Sequence, residues 1–272
     1  MKHRLDRLLV DRGLASSRQA AQALIMGGRV TVNGARADKA GVRVDETALV
    51  EVIGPAIPYV GRGGVKLEGA LDAFRLDVSG LVALDVGAST GGFTDCLLQR
   101  GAARVIALDV GRGQLHWNLR RDERVVPLEG INARYLEPGQ LPASPDVAVV
   151  DVSFISLRLV LPRIPPVLGG SGRGGAAGWI LALVKPQFEV GRGQVGSGGI
   201  IRSAVKRREV LLGISEFALA EGLRVSGIAP SIIRGNEGNQ EYFLHLSTRS
   251  HGMSIREIEL HVAEITRNEI ED

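Results

Sequence analysis

From Gly61 onward the chain repeats one short pattern, an apolar run followed by a segment of helical periodicity. The runs are Leu81–Val86, Val105–Val110, Val125–Leu128, Val147–Val152 and Ile180–Lys185, rich in Val, Ile, Leu and Ala. Strands that are apolar along their whole length are buried on both faces. Alternation with helices therefore predicts a parallel sheet with helices on each side. Leu223–Ile228 and Tyr242–Ser247 supply two further strands, the last pair expected to be antiparallel. Gly169–Gly178 reads as a surface loop without a function, and Ser254 with Glu257 reads as a capping box opening a C-terminal helix.

The first strand of the series runs into the segment Ala83-Leu84-Asp85-Val86-Gly87-Ala88-Ser89-Thr90-Gly91-Gly92-Phe93-Thr94. A strand, a glycine-rich turn and a helix start bring bare backbone N–H groups close to a ligand. A dinucleotide site would want a second glycine where Ser89 stands. Gly87-Ala88-Ser89-Thr90-Gly91 also satisfies the hydrolase nucleophile elbow, and Asp151 and His245 follow in the chain order such a triad needs, so that alternative stays open. The third reading is S-adenosylmethionine. Asp85 precedes the turn and Asp109 ends the next strand, where a carboxylate accepts ribose hydroxyls. A carboxylate also suits a cationic sulfonium, and no phosphate needs cradling. This reading is preferred, with Asp85, Gly87, Ser89, Gly91, Gly92, Phe93, Thr94 and Asp109 as the cofactor-binding candidates. The strand order fits a Rossmann-like, seven-stranded methyltransferase domain better than a dehydrogenase.

Four ionisable residues sit at strand ends or flanking elements: Lys66, Asp151, Lys185 and Glu241. Asp151 and Lys185 each close an apolar run, at the sheet edge where open α/β folds bind ligands. A partly buried ion pair at the core margin is the plainer alternative for them. Pro186 ends the strand directly after Lys185. Ser153, Phe154 and Ser156 are expected to open a helix after Asp151 and to border the pocket without doing chemistry.

The first 56 residues differ in character. The net charge of +3 conceals nine Lys/Arg against Asp6, Asp11 and Asp38 within residues 1–44. A basic surface confined to one small module suggests a polyanionic partner. Leu5, Leu8 and Leu9 predict a helix stopped by Gly13; Ser16 or Ser17 caps a second helix that Gly27-Gly28 ends. Arg29-Val30-Thr31-Val32-Asn33-Gly34 predicts a strand entering a hairpin, with another strand around Ala48–Ile53. Gly54, Pro55 and Pro58 mark a linker, so the expected division is 1–56, a linker at 57–62, and 63–272. Ile57-Pro58-Tyr59-Val60 reads either as a relay of partner binding to the second segment or as a packed connector.

The blocks Arg4–Leu9, Ser17-Arg18 and Gly28–Gly34 resemble the S-four-type RNA-binding domain. That resemblance implies RNA-backbone contact by Arg4, Arg7, Arg18 and Arg29. The spacing of Lys66, Asp151, Lys185 and Glu241 resembles the ribose 2′-O-methyltransferases of the FtsJ type. With the N-terminal module, the chain resembles the TlyA family of ribosomal RNA methyltransferases, often labelled haemolysins. The blocks that carry this are residues 28–34, 59–70, 84–95, 149–157, 183–196 and 235–243. The resemblance implies methylation of cytidine 2′-hydroxyls in 16S and/or 23S rRNA, with ribosomal RNA or subunits as partner. The chain departs from the family at Ser203, where an acidic residue is expected, and in the loop at 169–178.

Composition limits the other classes. One cysteine, Cys96, leaves no disulfide framework or multi-cysteine zinc site, and the five histidines lack metal spacing, so no metal is expected. No apolar stretch reaches membrane-spanning length, and the N-terminal Met-Lys-His-Arg-Leu-Asp does not read as a secretory signal, so a cytoplasmic protein is expected. At 4% aromatic residues, base stacking on a sheet is disfavoured and phosphate contact should dominate. A non-catalytic RNA-binding factor, a membrane-lysing protein and a pseudouridine synthase are the competing classes. The glycine turn has no use in the last, and no amphipathic segment serves the second. Oligomeric state is left open; a monomer is compatible with the sequence.

Overall fold

The computed structural model describes residues 2–15, 18–26, 28–53, 58–169, 178–191, 193–235, 238–248 and 252–267. The chain divides into two compact units, Met1–Arg62 and Gly63–Asp272. The expected caps Ser16 and Ser17, the stop at Gly27 and most of the Gly169–Gly178 loop lie outside the described residues.

In the first unit, β1 (Lys2–Arg4) leads into α1 (Leu5–Asp11), and α2 (Arg18–Met26) follows. The strands β2 (Val30–Val32), β3 (Ala35–Ala37), β4 (Arg43–Asp45) and β5 (Val50–Val52) complete it. β2 pairs antiparallel with both β3 and β5, and β1 pairs with β4. The hairpin turns at Asn33 and Gly34, both at positive φ (50° and 78°), the geometry that an Asn-Gly pair favours. Leu5, Leu8, Leu9, Ala21, Ile25, Val30, Val44, Ala48 and Val50 form its core. The β1–β4 pair was not anticipated, because Lys-His-Arg and Arg-Val-Asp carry no apolar alternation.

The second unit begins at the second residue of α3 (Arg62–Phe74), then come β6 (Val82–Val86), α4 (Gly92–Gln99), β7 (Arg104–Asp109), α5 (Trp117–Arg120), β8 (Val125–Glu129) and β9 (Val147–Val150). After them come β10 (Trp179–Val184), α6 (Pro186–Glu189), α7 (Ala204–Ala220), β11 (Arg224–Pro230), β12 (Tyr242–Ser247) and α8 (Ile255–Arg267). The sheet order is β11-β12-β10-β9-β6-β7-β8. Only β12 runs antiparallel to its neighbours. The chain winds outward through β7 and β8, then returns to the other side of β6, placing the topological switch between β6 and β9.

Between β9 and β10 three 3₁₀ turns (Leu157–Leu159, Leu161–Arg163, Pro165–Val167) stand where an α-helix was expected. Pro162, Pro165 and Pro166 remove the N–H groups a continuous helix would need. Leu84, Val86, Ile106, Leu108, Ala148, Val150, Ile180, Ala182 and Val184 share one large core with α7 and α8. The alternate residues, Asp85 among them, face the opposite side. Ser203, where the family resemblance called for an acid, caps α7 by accepting from the Lys206 N–H at 3.3 Å. Ser254 and Glu257 form the expected capping box on α8. No helix among the described residues is long and apolar enough to cross a membrane.

Candidate active site and RNA-binding surface

Strand periodicity brings the catalytic candidates together. Asp85, Asp151, Lys185 and Glu241 all have the parity of the face opposite α7 and α8. Asp151 follows the last residue of β9, Lys185 follows β10, and Glu241 precedes β12, whose register sets Tyr242 against Val184. One rim of the sheet, beside the switch point, therefore carries all three.

Two ion pairs result. Lys66, one turn into α3, places Nζ 2.5 Å from Glu241 Oε2, both side chains being almost completely buried. Lys185 Nζ lies 2.5 Å from Asp151 Oδ1 and donates to Ser153 Oγ at 2.8 Å. Removing one partner of such a buried pair is costly, because it strands the other charge.

The segment after Asp151 is pinned from α6. Glu189 accepts from Ser156 Oγ at 2.6 Å and from the Leu157 N–H at 2.7 Å, and its burial raises its pKa above the ordinary value. Phe154 stands between these anchors at φ 63°, 89% exposed, its ring 5.0 Å from that of Phe188. The sequence placed Ser153, Phe154 and Ser156 at the rim. It did not show that Ser153 touches Lys185 or that Glu189, four residues after Lys185, holds the segment.

The glycine turn is built for close approach. Gly87 has φ 87°, and a Cβ there would collide with the backbone carbonyl of Asp151. Gly91 has φ 97°, and a Cβ would collide with Leu119 and Leu115. Gly92 packs against the backbone of Gly63 and Gly64, so α3 and α4 start side by side. Asp109 is oriented by two backbone donors, Ser89 N–H at 2.7 Å and Gly111 N–H at 2.6 Å. Each oxygen keeps a lone pair for a ribose hydroxyl. Val110 beside it is two-thirds exposed, an apolar surface at the same strand end that the sequence reading passed over. Phe93 turns inward, its ring 6.0 Å from Phe243, and Thr94 gives its hydroxyl to Asp85 Oδ2 at 2.6 Å. These two shape the turn from below.

Asp85 is fully buried, and its Oδ1 has no partner. Burial pushes its pKa up to about 7; the neighbouring carboxylates of Asp151 and Asp109 add to this, and the Thr94 hydroxyl opposes it. An acid whose pKa is raised by folding holds its proton in the native state while the unfolded chain ionises. Asp85 therefore costs stability increasingly as pH rises from about 4 to about 7, and no further above that. Asp85→Asn, which keeps the acceptor for Thr94, should gain melting temperature relative to the parent between pH 5 and pH 8. Parallel pH-dependent melting curves for the two proteins would contradict this.

The hydrolase alternative fails on geometry. Ser89 Oγ bonds to Gln114 Oε1 at 3.3 Å. His245 lies mid-strand on β12, opposite Leu181, with its ring against Phe74 and Trp179. Among the described residues no His, Cys, Asp and Glu group could hold a metal.

In the first unit, the four arginine candidates separate. Arg4 and Arg18 both bind the buried carboxylate of Asp6. Arg7 is exposed, 3.8 Å from Asp11, and Arg29 donates to the Ile53 carbonyl at 3.1 Å.

A seven-stranded sheet with an antiparallel β12, a glycine turn at the switch point and paired acids at strand ends defines the Rossmann-like methyltransferase class. A solved Listeria monocytogenes structure, described as a candidate S-adenosylmethionine-dependent methyltransferase, shares the fold alone (TM-score 0.50, 11% identity, covering 69% of this chain and 99% of that one). Residues 59–248 match the family model described as FtsJ-like methyltransferase, and residues 3–50 match the S4 domain. The chain belongs to the FtsJ-like methyltransferase family.

Among its relatives is the 16S/23S rRNA (cytidine-2′-O)-methyltransferase TlyA of Mycobacterium tuberculosis, 48% identical over 91% of this chain and 90% of that protein. A Streptococcus thermophilus structure described as a candidate hemolysin superposes with a TM-score of 0.74 at 40% identity, covering 100% of this chain and 99% of that one.

Proposed function

We propose that this chain transfers the methyl group of S-adenosylmethionine to the 2′-hydroxyl of cytidine in ribosomal RNA, 16S, 23S or both. The observation that carries the proposal is the pair of lysine–carboxylate contacts, Lys185–Asp151 and Lys66–Glu241, on one sheet rim beside the glycine turn. The residues present suit the cofactor: Gly87 and Gly91 leave room for it, Asp85 offers an unpartnered buried oxygen, and Asp109 is aimed with free lone pairs. When bound, it supplies an electrophilic methyl group on a sulfonium.

A ribose hydroxyl becomes a competent nucleophile once its proton is removed. Lys185 Nζ takes that proton as the neutral amine, after its own extra proton has passed to solvent; Asp151 then stabilises the ammonium formed while Ser153 fixes the direction of Nζ. Lys66, held by Glu241, donates toward the developing oxyanion. Positioning then accounts for much of the rate. The N-terminal unit, taken as residues 1–56 with a connector at 57–62, brings RNA to the catalytic residues 63–272. This work belongs in the cytoplasm, where ribosomal RNA is assembled.

The test is transfer of tritiated methyl to naked rRNA, isolated subunits and assembled ribosomes, followed by mapping of the labelled nucleotide. Label at a cytidine 2′-oxygen is the expected result. Cofactor binding without transfer to any of these would leave a non-catalytic RNA-binding factor.

A further inference from the structure

We propose that Glu189 is a positioning residue for methyl transfer: by clamping the segment that follows Asp151, it holds the Ser153 hydroxyl where that group directs the Lys185 amine. The proposal rests on the reading of Lys185 as the base and concerns a residue outside both ion pairs.

The chain after β9 has little of its own to hold it. The Asp151 N–H donates to the Val86 carbonyl at 2.9 Å, which fixes Asp151 to β6. Beyond it, among the described residues, no backbone hydrogen bond reaches residues 152–155. Phe154 within that stretch has φ 63°, a conformation that a residue with a Cβ keeps only where its surroundings enforce it.

Three contacts enforce it, all from Lys185–Glu189. Lys185 Nζ donates to Ser153 Oγ at 2.8 Å, and the Phe188 ring lies 5.0 Å from that of Phe154. Glu189 accepts from Ser156 Oγ and from the Leu157 N–H, and of the three contacts it alone grips the main chain. The arm that carries Glu189 is stiff. Pro186 has its φ locked by its ring, the Phe188 N–H donates to the Lys185 carbonyl at 2.9 Å, and the Val190 N–H donates to the Pro186 carbonyl at 3.2 Å. Glu189 therefore sits at a set distance from Lys185.

The result is a closed frame. One side ties Lys185 to Asp151 and Ser153, the other ties Glu189 to Ser156 and Leu157, and two short stretches of chain join them. Opening the far side lets Ser153 move off Lys185. A displacement of about 1 Å at a reacting group can cost about a hundredfold in rate.

A local role in capping the 3₁₀ turn Leu157–Leu159 is already filled by Ser156, whose Oγ accepts from the Arg158 N–H at 3.2 Å. Burial raises the pKa of Glu189, while the Leu157 N–H, the Ser156 hydroxyl and the charge of Arg158 offset that rise. Glutamine can reproduce the clamp. Its amide oxygen accepts from the Leu157 N–H, and its amide nitrogen donates to Ser156 Oγ once that hydroxyl rotates its proton away. Alanine cannot.

Two measurements on the full chain test this. The first is the rate at which acetic anhydride labels Lys185 relative to exposed Lys39, read by mass spectrometry; it needs no methyl transfer. The Lys185 side chain is 11% exposed within its frame. Glu189→Ala should label several times faster than the parent, and Glu189→Gln close to it. The second is methyl transfer to rRNA below the melting temperature of every variant. Glu189→Ala should lose kcat by about tenfold to a hundredfold, with KM for RNA nearly unchanged, and Glu189→Gln should restore most of the loss. In a Ser153→Ala background, Glu189→Ala should add much less, because residues that act on one contact are not additive.

A folded Glu189→Ala protein with parental labelling and kcat would overturn the proposal. Full additivity with Ser153→Ala, or a glutamine variant as impaired as the alanine one, would overturn it too. If Glu189→Ala does not fold, Ser156→Ala, which opens one of the two ties, decides by the same measurements. A parent chain that methylates no rRNA would remove the methyl-transfer reading, and the labelling would still show whether Glu189 holds Lys185.

Discussion

Lys185→Ala should lose methyl transfer by about a thousandfold or more while binding cofactor nearly as well as the parent. The size follows from removing a positioned proton acceptor. The retained binding follows from location: Lys185 contacts Asp151 and Ser153 at the rim, whereas the glycine turn and Asp109 belong to β6, β7 and the loops that follow them. Single-turnover transfer and isothermal titration with the cofactor measure the two effects separately. Lys185→Arg gives the sharper comparison. A guanidinium can restore the ion pair to Asp151 but does not act as a base at neutral pH, so it should rescue melting temperature and not transfer. Undiminished methylation by the alanine variant would sink the assignment.

Gly87→Ala should lower cofactor affinity by at least a hundredfold and melting temperature by several degrees. Two costs combine. A residue with a Cβ at φ 87° is strained by about 1–3 kcal/mol. That Cβ would also meet the Asp151 carbonyl oxygen, a backbone atom that can move only if the loop bearing Asp151 moves with it. Gly80→Ala is the control. Gly80 has φ 73°, but nothing lies within 4 Å of the added carbon, so it should pay the strain alone and leave cofactor binding intact. Equal losses in the two variants would mean that strain, and not the contact between β6 and β9, governs the turn.

Much of the fold was legible because its signals are local. The apolar runs are strands to within a residue or two, since a parallel strand buried on both faces must be apolar throughout. The Asn33-Gly34 hairpin and the Ser254–Glu257 cap rest on backbone preferences that act within a few residues. The failures were not local. β1 and β4 are three charged or mixed residues each, and they are strands only because they find each other. The connection from Asp151 to β10 has the spacing of a helix, but its prolines break it into 3₁₀ turns.

For the site, the sequence by itself determined which groups stand at strand ends. An ionisable residue closing an apolar run has nowhere to go but the rim of the sheet. Which group meets which was decided by the tertiary structure. Lys66 and Glu241 are 175 residues apart and meet because α3 lies on the face that β12 shares with β10. Asp85 titrates near 7 because the sheet buries it beside two other carboxylates. In the N-terminal unit, too, composition supplied the positive charge. Folding made Asp6 the anchor of two arginines, since direction and burial are properties of packed elements and not of a string of residues.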